Sequence, residues 1–182
     1  IRSDLLFTKL KTRLQWFSDK LHEEIDSSSL VFLRLAFGSL MLWETSRYFL
    51  NGWIENLYIR QEFHFKYQWF QWIEDLPGPW MNGVFLILGT TSLLIILGWY
   101  YRVATLIFCL TYTYLFLIDQ AYYNNHFYMI IIFSFMMIFT PLHHSWSLDV
   151  RSGRVHHQNT LPAFWLWWMR FTMTLVYVYG AI

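Results

Sequence analysis

Charge is what this sequence has least of. Only 14% of its 182 residues are Asp, Glu, Lys or Arg, whereas a soluble domain of this length carries about a quarter. Lysine is confined to Lys9, Lys11, Lys20 and Lys66, so no long apolar run contains one. The single cysteine, Cys109, leaves no internal disulfide framework. A formal net charge of +1, without a basic stripe of interleaved reading residues, speaks against a nucleic-acid partner. No Gly-rich phosphate loop, no GxSxG elbow and no repeated HxxxH or HxxHH spacing occurs. A nucleotide site, a serine hydrolase and a membrane di-iron centre all lose their usual signatures. No small-residue cleavage site follows Ile1, so no signal peptide is read there. The sequence starts without Met and ends inside an apolar run, which reads as a piece of a longer protein.

What abounds is apolar and aromatic: 56% hydrophobic residues, with eleven Trp, twelve Tyr and seventeen Phe. Aromatics at that density predict belts at the two membrane interfaces. The expected class is an all-α integral membrane protein, with an amphipathic surface helix (residues 1–26) followed by a transmembrane helical domain (residues 27–182) of about five spans. Leu6, Leu10, Leu14, Phe17 and Leu21 recur at spacings of three and four, with Lys9, Lys11, Arg13 and Lys20 on much of the other side. That pattern predicts a helix lying on the membrane surface, the alternative being a contact helix against a partner subunit. Asp26-Ser27-Ser28-Ser29 supplies N-cap chemistry for a first span over residues 30–50. Arg34 and Glu44 fall inside it, roughly 15 Å apart along the axis. They cannot pair, so each is expected to face protein or an interface rather than lipid. Residues 51–79 form a polar-aromatic connection, extended or interfacial where residues 63–70 alternate, and Leu76-Pro77-Gly78-Pro79 ends it. Spans are then predicted over residues 80–99, 103–122, 126–142 and 163–182, the last containing Arg170. A second polar connection covers residues 143–162.

The basic residues orient these spans. Arg2, Lys9, Lys11, Arg13, Lys20, Arg102, Arg151 and Arg154 fall on one side, and only Arg47, Arg60 and Lys66 on the other. The positive-inside bias puts the N-terminal helix on the cytoplasmic side, and residues 51–79 and 122–126 on the lumenal or periplasmic side. The last span then ends on that same side. The lipid bilayer is the first partner the sequence implies.

Between two apolar runs lies Asp119-Gln120-Ala121-Tyr122-Tyr123-Asn124-Asn125-His126-Phe127-Tyr128. Amides and imidazoles lose hydration at such a place, so they need partners or a cavity. His126 is the sharpest candidate. It could donate to an anionic substrate or work as an acid–base group. It could equally be a helix-end histidine satisfied by Asn124, Asn125 or a backbone carbonyl, and the residues alone leave both readings open. Asn124 and Asn125 would add amide donors, and Asp119 could orient a neighbour. No metal is expected: the pairs His143-His144 and His156-His157 would point about 100° apart on a helix. His126 and His143 sit roughly 25 Å apart at opposite ends of one span, which suits no bis-histidine haem.

Several motifs together are similar to one family. They are Ser28-Ser29-Leu30-Val31-Phe32-Leu33-Arg34-Leu35-Ala36-Phe37-Gly38; Phe63-His64-Phe65-Lys66-Tyr67-Gln68-Trp69-Phe70-Gln71-Trp72 with Pro77-Gly78-Pro79-Trp80-Met81; Leu97-Gly98-Trp99-Tyr100-Tyr101-Arg102; Phe116-Leu117-Ile118-Asp119-Gln120; Tyr123-Asn124-Asn125-His126-Phe127-Tyr128; and Trp146-Ser147-Leu148-Asp149. The chain resembles the membrane domain of vitamin K-dependent γ-glutamyl carboxylases and their relatives, the horizontally transferred transmembrane (HTTM) domain family. The resemblance implies a reaction that composition could not. Reduced vitamin K (the quinol) is oxidised by O2 with a lysine as base. The strong base so formed removes a γ-proton from a glutamyl residue of a protein substrate, and the carbanion attacks CO2. By the same motif the family's assisting asparagine–histidine pair falls on Asn125 and His126. The resemblance also exposes gaps. The lysine base is expected a residue or two beyond Ile182, the lumenal substrate-gripping domain of animal members has no counterpart, and the connection over residues 51–79 lacks their cysteine. The expected role is therefore the N-terminal membrane part of a carboxylase-like protein, inactive as this chain alone. The alternative is a catalytically silent subunit that scaffolds other membrane subunits.

Overall fold

The computed structural model describes residues 11, 13, 15–61, 63–122 and 124–180. Helix α1 (residues 15–22) is the described end of the predicted surface helix, with Trp16 and Phe17 exposed and Lys20 paired to Glu23 at 2.8 Å. Leu6, Leu10 and Leu14, which would show whether one apolar face forms, lie outside the described residues. Next comes β1 (Glu24–Asp26), which pairs antiparallel with β2 (Thr160–Pro162) in the register Ile25↔Leu161. The expectation of helices alone thus gains a two-stranded clip. It joins the start of the first long helix to the start of the last.

Five long helices carry the fold: α2 (Ser28–Leu50), α3 (Gly78–Leu97), α4 (Tyr101–Ile118), α5 (Asn125–Phe139) and α7 (Ala163–Gly180), with a single turn, α6 (Leu148–Arg151), in the last connection. Helix α2 packs on α3, α3 on α4, α4 on α5, and α5 on α7. The short connections over residues 98–100 and 119–124 set α3, α4 and α5 side by side in sequence order. The predicted cap of α2 is made differently from expectation. Ser27 at the N-cap makes no side-chain cap bond, and Asp26 Oδ1 instead accepts from Ser28 N at 2.7 Å. Where α2 crosses α3, Gly38 lies so close that an added Cβ would meet Ser92 O and Ile96 N at 3.1 Å. Small residues let apolar helices approach in this way.

Helices α3 and α4 are each long and apolar enough to cross a membrane. Helix α5 is apolar, but its 15 residues rise only about 22 Å, short of a hydrocarbon core of about 30 Å. Helix α2 has the length and also carries Arg34, Glu44 and Arg47. The outer surface of the bundle is apolar: Leu86 is 64% exposed on α3 and Leu110 62% on α4.

One end of the bundle is tied by a buried polar brace. Arg34 is fully buried and its Nη2 donates to the carbonyl of Trp146. The guanidinium passes directly over Gly98, whose φ is +62°, at a point where an added Cβ would lie 1.8 Å from Nη1. Asp149, itself buried, accepts from Tyr100 N at 2.9 Å, Tyr101 N at 3.0 Å and Arg154 Nη1 at 3.3 Å. In this way it caps α4 from a distant loop. Tyr100 (φ 46°) and Trp146 (φ 51°) are held in the left-handed region there, a conformation that costs non-glycine residues about 1–2 kcal/mol. Arg34 faces protein, as its mid-helix position predicted. Glu44 pairs not with Arg34 but with Arg47, at 2.7 Å.

Candidate functional site

The opposite end is organised by Asp119. Helix α4 stops at Ile118, Asp119 is extended, one 3-10 turn covers Gln120–Tyr122, and α5 starts at Asn125. Within that corner the buried Asp119 carboxylate accepts four hydrogen bonds. They come from Ala121 N at 2.8 Å, His64 Nδ1 at 3.0 Å, Gln61 Nε2 at 3.1 Å and Phe65 N at 3.2 Å. Gln120 N donates back to Phe65 O at 2.7 Å. The long connection after α2 is thereby clipped to the α4–α5 corner. A carboxylate taken from water needs this number of donors.

His64 is the residue that sequence reasoning missed. Its side chain is 3% exposed against 2% for Asp119, and its Nε2 is buried without a partner. Asp119 accepting from Nδ1 leaves Nε2 as the acceptor nitrogen. A signal was present: the alternation over residues 63–70 turns His64 away from Phe63 and Phe65, which the structure leaves exposed.

Beneath this clip is a cavity of about 40 Å³. Aromatic side chains dominate its walls, among them Tyr48, Tyr58, Phe85, Tyr112 and Phe127, with Glu44 and Asp119 as the carboxylates. As it stands it takes about one water-sized group.

Asn125 and His126 sit side by side in the first turn of α5, both exposed. Asn124 is the N-cap, its Oδ1 accepting from His126 N at 3.0 Å and from His126 Nδ1 at 2.7 Å. The imidazole is thus fixed in one tautomer, with Nε2 on its outward edge. Asp119 does not bond to His126. The two share the corner, and His126's neighbour Phe127 reaches the same cavity wall as Asp119.

The other histidines serve elsewhere. His143 stacks on Tyr101 with ring centroids 4.9 Å apart. Burial first, then the charges of His144, Arg102 and Arg34, push its pKa down to about 4. His144 Nδ1 bonds with Gln158 Oε1 at 2.9 Å. Among the described residues no group of three or more His, Cys, Asp or Glu is placed to hold a metal ion.

A mostly helical bundle, tied by a polar clip at each end, with two helices, α3 and α4, long and apolar enough to cross a membrane, is the class of domain the fold defines. The chain belongs to the HTTM domain family, whose match covers residues 22–182. No solved structure matches it.

Proposed function

We propose that this chain is the N-terminal membrane part of a vitamin K-dependent γ-glutamyl carboxylase-like protein. In this reading α2, α3, α4, α5 and α7 cross the bilayer, α1 lies on the cytoplasmic surface, and the Asp119 corner faces the lumen or periplasm. The observation that carries it is convergence. The Asn125–His126 pair opens α5 from the same short corner whose Asp119 lines an aromatic cavity.

The cavity wall fits the chemistry of a reduced vitamin K quinol, since flat aromatic side chains suit its ring and carboxylates suit its hydroxyls. Its volume of about 40 Å³ means that side chains such as Phe127 must rotate to admit one. When bound, the quinol supplies the reducing equivalents that, with O2, generate the strong base. The chain's own residues then have defined tasks. Asn125 donates hydrogen bonds to carboxylate charge developing at the corner, and His126 does so once its Nε2, the acceptor nitrogen while Asn124 holds Nδ1–H, has taken up a proton. Asn124 holds His126 Nδ1, so Nε2 is the nitrogen that meets substrate or moves a proton. Asp119 keeps the corner closed. CO2 and a glutamyl residue of a protein substrate would approach from that end.

The test is His126→Ala in the full-length protein, read by incorporation of labelled CO2 into a glutamyl peptide. Carboxylation should fall by at least a hundredfold with membrane insertion and thermal stability retained. Loss of the fold instead would make His126 structural. One observation favours the second reading, a silent scaffold subunit: Asn124 already satisfies the His126 Nδ1. In that case the substitution would lower stability and change nothing else.

A further inference from the structure

The connection between α2 and α3 exposes aromatic residues in a manner that water does not favour. Trp69 is 83% exposed and Trp72 76%, yet the segment around them is firmly built. Phe70 N donates to Tyr67 O at 2.9 Å, Ile73 N to Phe70 O at 3.0 Å, and Lys66 Nζ to Ile73 O at 2.7 Å. Two contacts fix its height. The Tyr67 ring lies 5.4 Å from Phe116, and Tyr114 Oη donates to Glu74 O at 2.9 Å. Phe116 and Tyr114 precede the last residue of α4 by two and four positions, which is about 3 and 6 Å down the helix axis. The segment therefore descends beside the last turn of α4 instead of projecting past its end. Ile73 turns inward and is buried, while the two indoles turn outward. Trp80, in the first turn of α3, is exposed as well.

We infer that residues 67–74 form an interfacial element embedded in the lipid headgroup layer at the Asp119 end, anchored by Trp69 and Trp72. The inference rests on the membrane reading of the bundle. Indole suits that layer because its body is apolar and its N–H finds carbonyl or phosphate acceptors there. Gln68 and Gln71, interleaved with the tryptophans, suit the same half-wet zone. A loop placed this way makes lipid headgroups, not bulk water, the neighbours of the wall formed by Phe116 and Asp119. An amphiphile dissolved in the bilayer would meet that wall without crossing water.

The test uses the full chain in phosphatidylcholine vesicles. Trp69→Cys and Trp72→Cys, in a Cys109→Ser background, each carry an environment-sensitive fluorophore. Leu110→Cys serves as the mid-bilayer reference and His157→Cys as the aqueous one. Labels at positions 69 and 72 should be quenched several-fold more by nitroxide lipids labelled near the headgroup than by aqueous iodide. Position 110 should respond to mid-chain nitroxide. Iodide-dominated quenching at 69 and 72 would make the segment a water-facing loop and overturn the inference, with position 110 keeping the membrane reading intact. Resistance to both quenchers would assign the surface to a protein partner and also overturn it. Iodide quenching at 110 as well would overturn both. The Trp69→Phe/Trp72→Phe double variant, with Cys109 native, gives an independent reading. It should lose a measurable share of the tryptophan fluorescence that shallow brominated lipid quenches, and no loss would count against the embedding.

Discussion

Gly98→Ala should be among the most damaging single-methyl additions in this protein. Two costs act together. At φ +62° an alanine adopts the left-handed region at about 1–2 kcal/mol. Its Cβ would also lie 1.8 Å from Arg34 Nη1 and 2.5 Å from Ser147 Cβ, so a fully buried guanidinium and the loop behind it must move. Overpacking of that kind costs about 1–3 kcal/mol, giving a total of about 2–5 kcal/mol. Coupling separates the two terms. In an Arg34→Met background the guanidinium is gone, an apolar side chain of similar length fills part of its place, and the backbone cost and the contact with Ser147 Cβ should remain. A double-mutant cycle should therefore return a coupling of about 1–3 kcal/mol. The measurement is reversible unfolding in detergent micelles, followed by circular dichroism, for the four proteins of the cycle. If Gly98→Ala lies within about 0.5 kcal/mol of the unaltered chain, the brace does not constrain the fold. If its cost is the same with and without Arg34, steric exclusion by the guanidinium is the wrong explanation.

The remaining predictions concern the two clips. His143, held neutral down to a pKa of about 4 against an ordinary 6.5, makes stability pH-dependent. Above 6.5 neither folded nor unfolded chain protonates it; between 6.5 and about 4 only the unfolded chain does. Stability is thus lost as pH falls through that window and the loss levels off below it, by up to about 3 kcal/mol. His143→Gln should flatten the curve between those pH values relative to the unaltered chain, and parallel curves would refute the assignment. At the other clip, Asp119→Ala strands two backbone donors and His64 Nδ1 in a buried corner, while Gln61 Nε2 keeps Phe63 O, at a cost of about 3–5 kcal/mol. Hydrogen exchange at the Phe65 and Ala121 amides should accelerate at least tenfold, whereas protection equal to the unaltered chain would mean that the corner is held by packing instead.

The long helices were legible because each is a run of apolar residues bounded by turn chemistry: Pro77-Gly78-Pro79 at the start of α3, Gly98 after it, Asn124 before α5. Their ends were less so. The predicted spans ran on to Tyr122 and Leu142, but Asp119 takes an extended conformation to collect its four donors, and Thr140 turns the chain away. The β1–β2 clip could not be read, because three-residue strands 136 positions apart leave no periodic signal. His64 and Asp119 were both visible as polar residues, and their pairing was not. Only the fold carries a connection of nearly thirty residues back onto the corner. For Asn125 and His126, the sequence showed their place at a helix start and left the histidine's partner open among three. The structure selects Asn124.

The motifs that tie this chain to its family divide between the two ends of the bundle, and they do different work. Arg34, Gly98, Tyr100-Tyr101 and Trp146-Ser147-Leu148-Asp149 converge on one polar brace, in which Arg34 Nη2 and Asp149 are bonded while Arg34 Nε and Nη1 are buried without a partner. That brace sets how α2, α3 and α4 meet, so any protein using this bundle gains from it, whatever its chemistry. His64, Asp119, Asn125 and His126 lie at the other end, where one imidazole nitrogen is buried without a partner and another faces outward. Those motifs are shared between the two ends, and only the Asp119 end, which holds Asn125 and His126, can separate a carboxylase-like protein from a scaffold. Substitutions in the brace will lower activity and stability together in either kind of protein. At His126, a loss of turnover without a loss of stability is an outcome that a scaffold could not produce.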